Sequence, residues 1–201
     1  MSSLPVNQRV RIHVVQAGGL VFATLLLLTH PALVGQAHEA IEMAGFGLVL
    51  ACVAGRMWSI LYVGSRKNRT LVTSGPYSMT RNPLYLFSTV GAVGVGLIHG
   101  SVVVALALGL FAWLVFTVTA TKEAQHLRSL FGPAYDAYAR ETPMLWPRLS
   151  AYRDSPEVMF SPGALRRTFL DGLFFLAAFP AIEAIEHLQA TGYLPILASV
   201  F

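Results

Sequence analysis

The stretch PLYLFSTVGAVGVGLIHGSVVVALALGLFAWLVFTVTA, residues 83–120, decides the fold of this chain. It contains two apolar runs, residues 84–99 and 102–120, which meet at the turn sequence His99-Gly100-Ser101. The first run is rich in glycine, and small residues allow helix backbones to approach closely in lipid. The stretch therefore predicts a packed helical hairpin whose two ends, with the segments attached to them, lie on the same side of a membrane.

The composition of the whole chain is that of a membrane protein. Of its 201 residues 55% are hydrophobic and 12% are charged, and this charged share is about half that of an ordinary soluble domain. The mean hydropathy is +0.59. Five stretches approach the roughly 20 apolar residues that cross a bilayer core of about 30 Å, namely residues 10–29, 41–63, 84–99, 102–120 and 168–187. These features predict an all-α integral membrane bundle of about five transmembrane helices.

The basic residues predict the orientation of this bundle. With five spans, all 14 Lys and Arg side chains fall on one side or within the span ends nearest to it: by the start of the first span, from the end of the second to the third, and between the fourth and fifth. The positive-inside rule then places the N-terminus and these segments in the cytoplasm. Nucleic-acid binding is not expected, because no basic stretch lies free of the membrane and interleaved with exposed aromatic residues.

Cysteine and metal-ligand patterns give little support for a metal site. Cys52 is the only cysteine and lies in an apolar run, which excludes an internal disulfide and a zinc site of several cysteines. Residues with metal-ligand spacing gather on the non-basic side, namely Glu183, Glu186 and His187 with His38, Glu39 and Glu42. Solvated helix ends account better for most of these residues, and no metal is expected.

The segment before the hairpin, LVTSGPYSMTRNPLY at residues 71–85, is punctuated by turn residues. Gly75-Pro76 favours a turn, and Pro83 biases Asn82 away from helix before it starts the next helix. The pattern predicts an irregular, rigid connector. Irregular backbone at membrane depth is tolerated where it lines a cavity or is buried in protein, so a lining role is favoured over that of a mere connector.

The segment after the hairpin, EAQHLRSLFGPAYDAYARETPMLWP, occupies residues 123–147. No helix breaker separates it from the preceding span, so one helix is expected to run from lipid into cytosol and to stop at Gly132-Pro133. A short helix over residues 134–140 would place Tyr135 and Tyr138 on one side. Further on, Ser161-Pro162 is typical of the N-cap and first position of the last helix.

The two segments together carry a family resemblance. Its elements, at preserved spacing around the hairpin, are Leu71-Val72, Gly75, Tyr77, Arg81-Asn82-Pro83-Leu84-Tyr85, Glu123-Ala124-Gln125-His126-Leu127, Phe131-Gly132, Tyr135, Tyr138 and Pro143. In this combination the chain resembles the isoprenylcysteine carboxyl methyltransferase and phospholipid methyltransferase superfamily of small integral membrane enzymes. The resemblance covers residues 71–147, and the preceding Gly55-Arg56-Met57-Trp58 helix is also familiar from it.

The resemblance implies a cytosol-facing pocket for S-adenosyl-L-methionine, with S-adenosyl-L-homocysteine as product. The residues it implies for cofactor binding are Arg69, Thr70, Leu71, Val72, Tyr77, Asn82, Pro83, Leu84, Tyr85 and Glu123. Glu123 would face the ammonium or sulfonium of the cofactor, because a carboxylate near a membrane is costly unless it is paired. A salt bridge from Glu123 to Lys122, Arg128 or another basic neighbour is the alternative.

The expected catalytic residues are Glu123, Tyr85 and His126. His126 is the candidate base because histidine titrates near neutrality, although an interfacial histidine without a catalytic part is the alternative. Two family residues are changed, a histidine to Asn82 and a second glutamate to Ala124.

A third change bears on the substrate, because the family arginine linked to the substrate carboxylate is Thr119. Arg56, Lys122 or His126 could replace the lost charge. The change predicts poor activity on isoprenylcysteine analogues and better activity on a lipid amine or another lipophilic acceptor.

The expected function is therefore S-adenosylmethionine-dependent methylation of a lipophilic acceptor, either a lipid amine or a carboxylate, by a multi-pass membrane enzyme. The expected partners are this lipid substrate and the membrane lipids. A sterol-reductase-like enzyme and a non-enzymatic scaffold or transporter are the alternatives. Residues 1–201 are expected to form one membrane domain, with the first two spans in 1–70, the cofactor-binding core in 71–150 and the last span and tail in 151–201.

Overall fold

The computed structural model describes residues 8–32, 35–65 and 69–200. These ranges are mostly helical. The helices are α1 (Gln8–Leu28), α2 (Gln36–Val63), α3 (Pro76–Met79), α4 (Pro83–Ile98), α5 (Val102–Phe131), α6 (Pro133–Glu141) and α7 (Pro162–Ala190), with a 3₁₀ turn at Leu149–Ala151. Two short strands, β1 (Thr29–Pro31) and β2 (Ala198–Val200), complete the described secondary structure.

Five of these helices coincide with the five predicted spans. In the described part of the chain, α2, α5 and α7 are long and apolar enough to cross a membrane, whereas Gln16–Leu28 within α1 and the whole of α4 are shorter apolar helices. The 16 residues of α4 reach about 24 Å at 1.5 Å per residue, which is less than a bilayer core of about 30 Å. Large apolar side chains such as Leu110 and Phe174 are exposed on α5 and α7, as lipid-facing residues are. The chain is thus an integral membrane protein with three helices of full spanning length.

The predicted hairpin is formed by α4 and α5. Gly100 adopts a φ of 73°, a left-handed conformation that allows the tight turn after α4. The Ser101 hydroxyl then caps α5 by accepting a hydrogen bond from the Val104 amide at 3.1 Å. α4 and α5 pack against each other, and a Cβ placed on Gly96 would lie 2.3 Å from the Ala105 Cα.

Gly91 and Gly94 of α4 pack against α2, whereas the sequence predicted that the glycines of α4 would pack against α5 in the hairpin. A Cβ on Gly91 would lie 2.5 Å from the Cys52 sulfur, and one on Gly94 would lie 2.8 Å from the Gly45 carbonyl oxygen. Both neighbours belong to α2. Small residues therefore close the α2–α4 contact as well as the hairpin, and fully buried Cys52 is the small core residue of that contact.

The extension of α5 beyond its apolar run has the predicted shape. α5 continues without interruption to Phe131, and Gly132, with a φ of 52°, turns the chain into α6. Tyr135 and Tyr138 are both buried, and their ring centroids are 6.2 Å apart. The hydroxyl of Ser161 accepts a hydrogen bond from the Ala164 amide, as expected of the N-cap of α7.

The opposite end of the bundle departs from the all-α prediction. β1 and β2 pair in parallel, with Thr29 opposite Ala198 and Pro31 opposite Val200. Gly192, with a φ of 78°, turns the chain back after α7, so that two extended segments meet and satisfy each other's backbone groups. Strands of three residues are too short to leave a periodic pattern in the sequence.

Candidate active site

A cavity of about 470 Å³ lies where one end of the hairpin meets α2, α7 and the connector before α4. This volume is in the range of small-molecule sites, roughly 300–1,000 Å³. Most residues predicted to hold a cofactor line it, namely Thr70, Leu71, Val72, Tyr77, Asn82, Leu84, Tyr85 and Glu123. Arg69 is exposed and Pro83 is buried at the first position of α4, and neither lines the cavity.

The centre of the cavity is a contact between the two arms of the hairpin. The Tyr85 hydroxyl donates a hydrogen bond to Glu123 Oε2 at 2.9 Å, across 38 residues of sequence. The Tyr85 ring stacks on Phe116 with centroids 5.0 Å apart and an interplanar angle of 11°. The expectation that the two flanking segments return to the same end of the bundle is confirmed by this contact.

Glu123 does not form the alternative salt bridge considered above. Arg128 pairs instead with Asp136 at 2.6 Å, and Lys122 is exposed. Within the described ranges no basic nitrogen lies within 4.0 Å of the Glu123 carboxylate. The carboxylate thus lines the cavity with a tyrosine hydroxyl as its hydrogen-bond donor and with no basic partner from the described part of the chain.

Tyr77 and Tyr138 form an adjacent wall of the cavity. The Tyr138 hydroxyl donates a hydrogen bond to the Tyr77 backbone oxygen at 2.7 Å, which ties α6 to α3. Burial, and next the nearby charge of Glu123, raise the pKa of the Tyr77 phenol well above its usual value. Burial also raises the pKa of Tyr138. Both phenols are therefore neutral near pH 7 and offer hydrogen bonds and aromatic faces.

A strap formed by residues 143–148 holds the connector in place. The Arg81 amide donates to the Pro143 carbonyl at 2.9 Å, and the Arg148 amide donates to the Met79 carbonyl at 3.0 Å. The Asn82 side-chain amide donates to the Met144 carbonyl at 3.0 Å. Asn82 therefore both lines the cavity and fixes its wall. Pro143 and Pro147 are incompatible with a helix interior, which agrees with the extended chain here, but prolines do not reveal which segment that chain pairs with.

The structure does not bring His126 to this centre. His126 is exposed on α5, one turn beyond Glu123, and does not line the cavity. Its role as a base stays a prediction that the geometry does not support. The Thr119 hydroxyl donates to the Val115 carbonyl of its own helix at 2.8 Å and also lies outside the lining.

A second polar group lines the cavity from α2, α4 and α7. Of its members the sequence analysis had named only Arg56, as one of three possible replacements for the missing arginine. Arg56 donates a hydrogen bond to the Ser88 hydroxyl and lies 4.0 Å from the Asp171 carboxylate. Arg167 also lines this part. The sequence feature that could have identified this group is Arg56, a charged residue inside an apolar span. Such residues are rare in membrane helices and mark functional sites.

The far end of the bundle gathers the residues with metal-ligand spacing. His38 Nε2 lies 3.8 Å from Glu186 Oε2, and buried His99 shares a hydrogen bond with the Thr29 hydroxyl at 3.1 Å. Among the described residues no group of three or more His, Cys, Asp and Glu side chains is arranged to hold a metal ion.

The fold and the site define a helical integral membrane protein with a polar cavity at one end of its bundle. The family is shown by comparison with known proteins, since the phospholipid methyltransferase family profile matches residues 20–134, more than half of the chain. The chain belongs to the phospholipid methyltransferase family, within the superfamily that includes the isoprenylcysteine methyltransferases. The resemblance drawn from the two segments is confirmed, and the chain is a membrane methyltransferase by family.

Individual relatives carry two kinds of name. The nickel-cobalt-cadmium resistance protein NccN of Alcaligenes xylosoxydans xylosoxydans is 38% identical over 149 residues, 74% of this chain and 69% of that protein. The cobalt-zinc-cadmium resistance protein CzcN of Cupriavidus metallidurans is 38% identical over 148 residues, which are 74% of this chain and 68% of that protein. The protein-S-isoprenylcysteine O-methyltransferase of Schizosaccharomyces pombe is 33% identical over 91 residues, which are 45% of this chain and 39% of that protein. No solved structure matches the chain significantly.

Proposed function

We propose that this protein transfers a methyl group from S-adenosyl-L-methionine to a lipophilic acceptor in the membrane. One observation carries the proposal: a single cavity is lined by the connector residues Thr70–Val72 and Tyr77 and by the Tyr85–Glu123 pair. These are the residues that the family resemblance implies for the cofactor, and the fold gathers them from both sides of the hairpin.

The chemistry of the lining fits a cationic cofactor. Glu123 is an anion beside lipid without a basic partner among the described residues, and such an anion is stabilised by a bound cation. The rings of Tyr77 and Tyr85 line the cavity, and the faces of aromatic rings attract a sulfonium. Leu71, Val72 and Leu84 supply the apolar part of the wall.

The cofactor supplies an activated methyl group, and the protein supplies position and a dry site. Methyl transfer is an in-line displacement, for which alignment and exclusion of water contribute most of the rate. Glu123 would orient the cationic end, and the stack of Tyr85 on Phe116 would hold its hydroxyl in place. An acceptor carboxylate needs no base, whereas an acceptor amine must arrive without its proton.

The acceptor is proposed to enter sideways from the membrane. α5 and α7 both line the cavity, but α7 packs mainly on α2 and α4 rather than on α5. The surfaces of α5 and α7 outside the cavity carry exposed apolar side chains. A lipophilic acceptor could therefore enter between α5 and α7 while the cofactor enters from the aqueous side.

The direct test is binding and product analysis with purified protein in detergent. S-adenosyl-L-homocysteine is expected to bind, and isotopically labelled S-adenosyl-L-methionine is expected to transfer its label to an extractable lipid that mass spectrometry then identifies. Absence of binding to well-folded protein would contradict the proposal and would favour the reductase or scaffold alternatives.

The proposed topology has five spans, a cytoplasmic N-terminus and a cytoplasmic active site, as one membrane domain over residues 1–201. It is supported by the five apolar helices and by the one-sided Lys and Arg distribution. Single cysteines at Ser65 or Ser150 are expected to react with a membrane-impermeant maleimide only from the cytoplasm, and cysteines at Gln36 or Ser199 only from outside. Native Cys52 is buried, so the background is low. Labelling of the Gln36 and Ser65 positions from one face would overturn this topology.

A further inference from the structure

Arg56 is a charged residue deep in an apolar helix. It lies on α2, seven residues and so about 10 Å before the end of that helix at Val63. Its side chain is only 18% exposed and lines the cavity. A cation at this depth is costly, and its presence indicates a functional contact.

The contacts of Arg56 hold its side chain without using up its donors. One guanidinium nitrogen donates to the Ser88 hydroxyl, which itself donates to the Leu84 carbonyl. Asp171 is 4.0 Å away, beyond hydrogen-bond distance, and 56% exposed. Arg56 Nε is buried and has no acceptor among the described residues. Because a guanidinium carries five N–H donors, several remain for a ligand.

The position of Arg56 gives the cavity two poles of opposite charge. Tyr85 and Ser88 are three residues apart on α4, so they share a face and are separated by a rise of about 4.5 Å. Tyr85 contacts the Glu123 carboxylate, and Ser88 contacts the Arg56 guanidinium. The cationic pole therefore lies about one helical turn deeper in the bundle than the anionic pole.

We infer that Arg56 binds an anionic group, a carboxylate or a phosphate, next to the methyl-accepting atom of the lipid. This inference rests on the proposed function and names its substrate class as an anionic amphiphile. Glu123 would hold the cationic cofactor while Arg56 holds the acceptor, and an arginine can bind either oxyanion with two parallel hydrogen bonds. The acceptor lies on the lipid side because Arg56 is the deeper pole.

Other cations are less suited to this role. Lys122 and His126 are exposed and do not line the cavity. Arg81 lines the cavity, and its Nε also lacks an acceptor among the described residues, but Arg81 precedes α4 and donates to the Tyr135 hydroxyl at 3.3 Å, on the α6 side rather than deeper in the bundle. Arg167 is exposed. Among the described residues, Arg56 is thus the cation best placed to supply the charge that Thr119 lacks. The poor activity on isoprenylcysteine analogues expected from Thr119 stays a prediction, and the presence of Arg56 in the lining argues against it.

The test uses three probes with one farnesyl chain: N-acetyl-S-farnesylcysteine, its neutral carboxamide, and farnesyl phosphate. In calorimetric titrations of the full chain in neutral detergent, at least one anionic probe is expected to bind about tenfold or more tighter than the carboxamide. The tighter anion identifies a carboxylate or a phosphate as the group recognised. Arg56→Gln is expected to abolish the preference and Arg56→Lys to retain part of it. Arg166→Gln, which removes an exposed charge outside the cavity, is the matched control and should leave the preference for the anionic probe unchanged.

A second variant keeps the inference testable if Arg56→Gln does not fold. Asp171→Asn removes the competing carboxylate and is expected to tighten anionic probes while leaving the carboxamide unaffected. Equal binding of all three probes by the wild type, or an unchanged preference in Arg56→Gln, would overturn the inference. S-adenosyl-L-homocysteine is titrated in parallel: failure of the wild type to bind it counts against the proposed function alone, because the anion preference is measured with the farnesyl probes only.

Discussion

Glu123→Gln is expected to weaken S-adenosyl-L-homocysteine binding by about ten- to a hundredfold, because the product keeps the ammonium group that the carboxylate would pair with. The substitution preserves the size of the side chain and an oxygen that can accept the Tyr85 hydrogen bond at 2.9 Å. Stability is therefore expected to change little. The measurement is a calorimetric titration of purified wild type and variant, with thermal unfolding recorded on the same samples.

Two further variants sharpen this result. Tyr85→Phe removes the hydroxyl but keeps the ring that stacks on Phe116, so it should lower affinity by a smaller factor than Glu123→Gln. Glu157→Gln removes a carboxylate from an exposed loop outside the cavity and should bind as the wild type does. An affinity in Glu123→Gln equal to that of the Glu157→Gln control would remove Glu123 from the cofactor site.

Gly45→Ala is expected to destabilise the protein by about 1–3 kcal/mol, the usual effect of overpacking. A Cβ on Gly45 would lie 2.6 Å from both the Gly94 carbonyl oxygen and the Ile98 amide nitrogen. These are backbone atoms of α4, so they cannot move aside as a flexible side chain could. α4 must therefore shift away from α2, and the measurement is the unfolding temperature in detergent.

The matched control lies two residues along the same helix. A Cβ on Gly47 would meet no atom within 4 Å, and alanine is the better helix former by roughly 1 kcal/mol. Gly47→Ala is therefore expected to leave the unfolding temperature unchanged or to raise it slightly. Equal effects of the two substitutions would show that α2 and α4 do not pack through Gly45.

Local patterns predicted the fold well where one stretch of chain carried the information. The turn at His99-Gly100-Ser101, the uninterrupted α5 and its stop at Gly132 follow from apolar runs and breakers. The same patterns placed Tyr85 and Glu123 at one end of the hairpin, and the structure brings them into contact. The three-residue strands β1 and β2 left no such pattern.

The candidate site was predicted in part, because the motif residues lie in two short segments at the ends of one hairpin, whereas the other polar residues of the lining belong to no such motif. Arg56, Ser88 and Asp171 come from three different helices, and no spacing rule links them. The sequence also did not reveal which neighbouring helix each α4 glycine contacts. In the structure Gly91 and Gly94 contact α2, while Gly96 contacts α5.

The sequence by itself determined that this protein is a helical membrane protein, where its hairpin turns and which family motifs flank it. These properties depend on hydropathy, breakers and local spacing, which act over a few helical turns. Only the tertiary structure decided which charges share the cavity. Glu123 lies in it with Tyr85 while His126 does not, and Arg56 enters it from α2 because the rotation and packing of whole helices select the inward side chains.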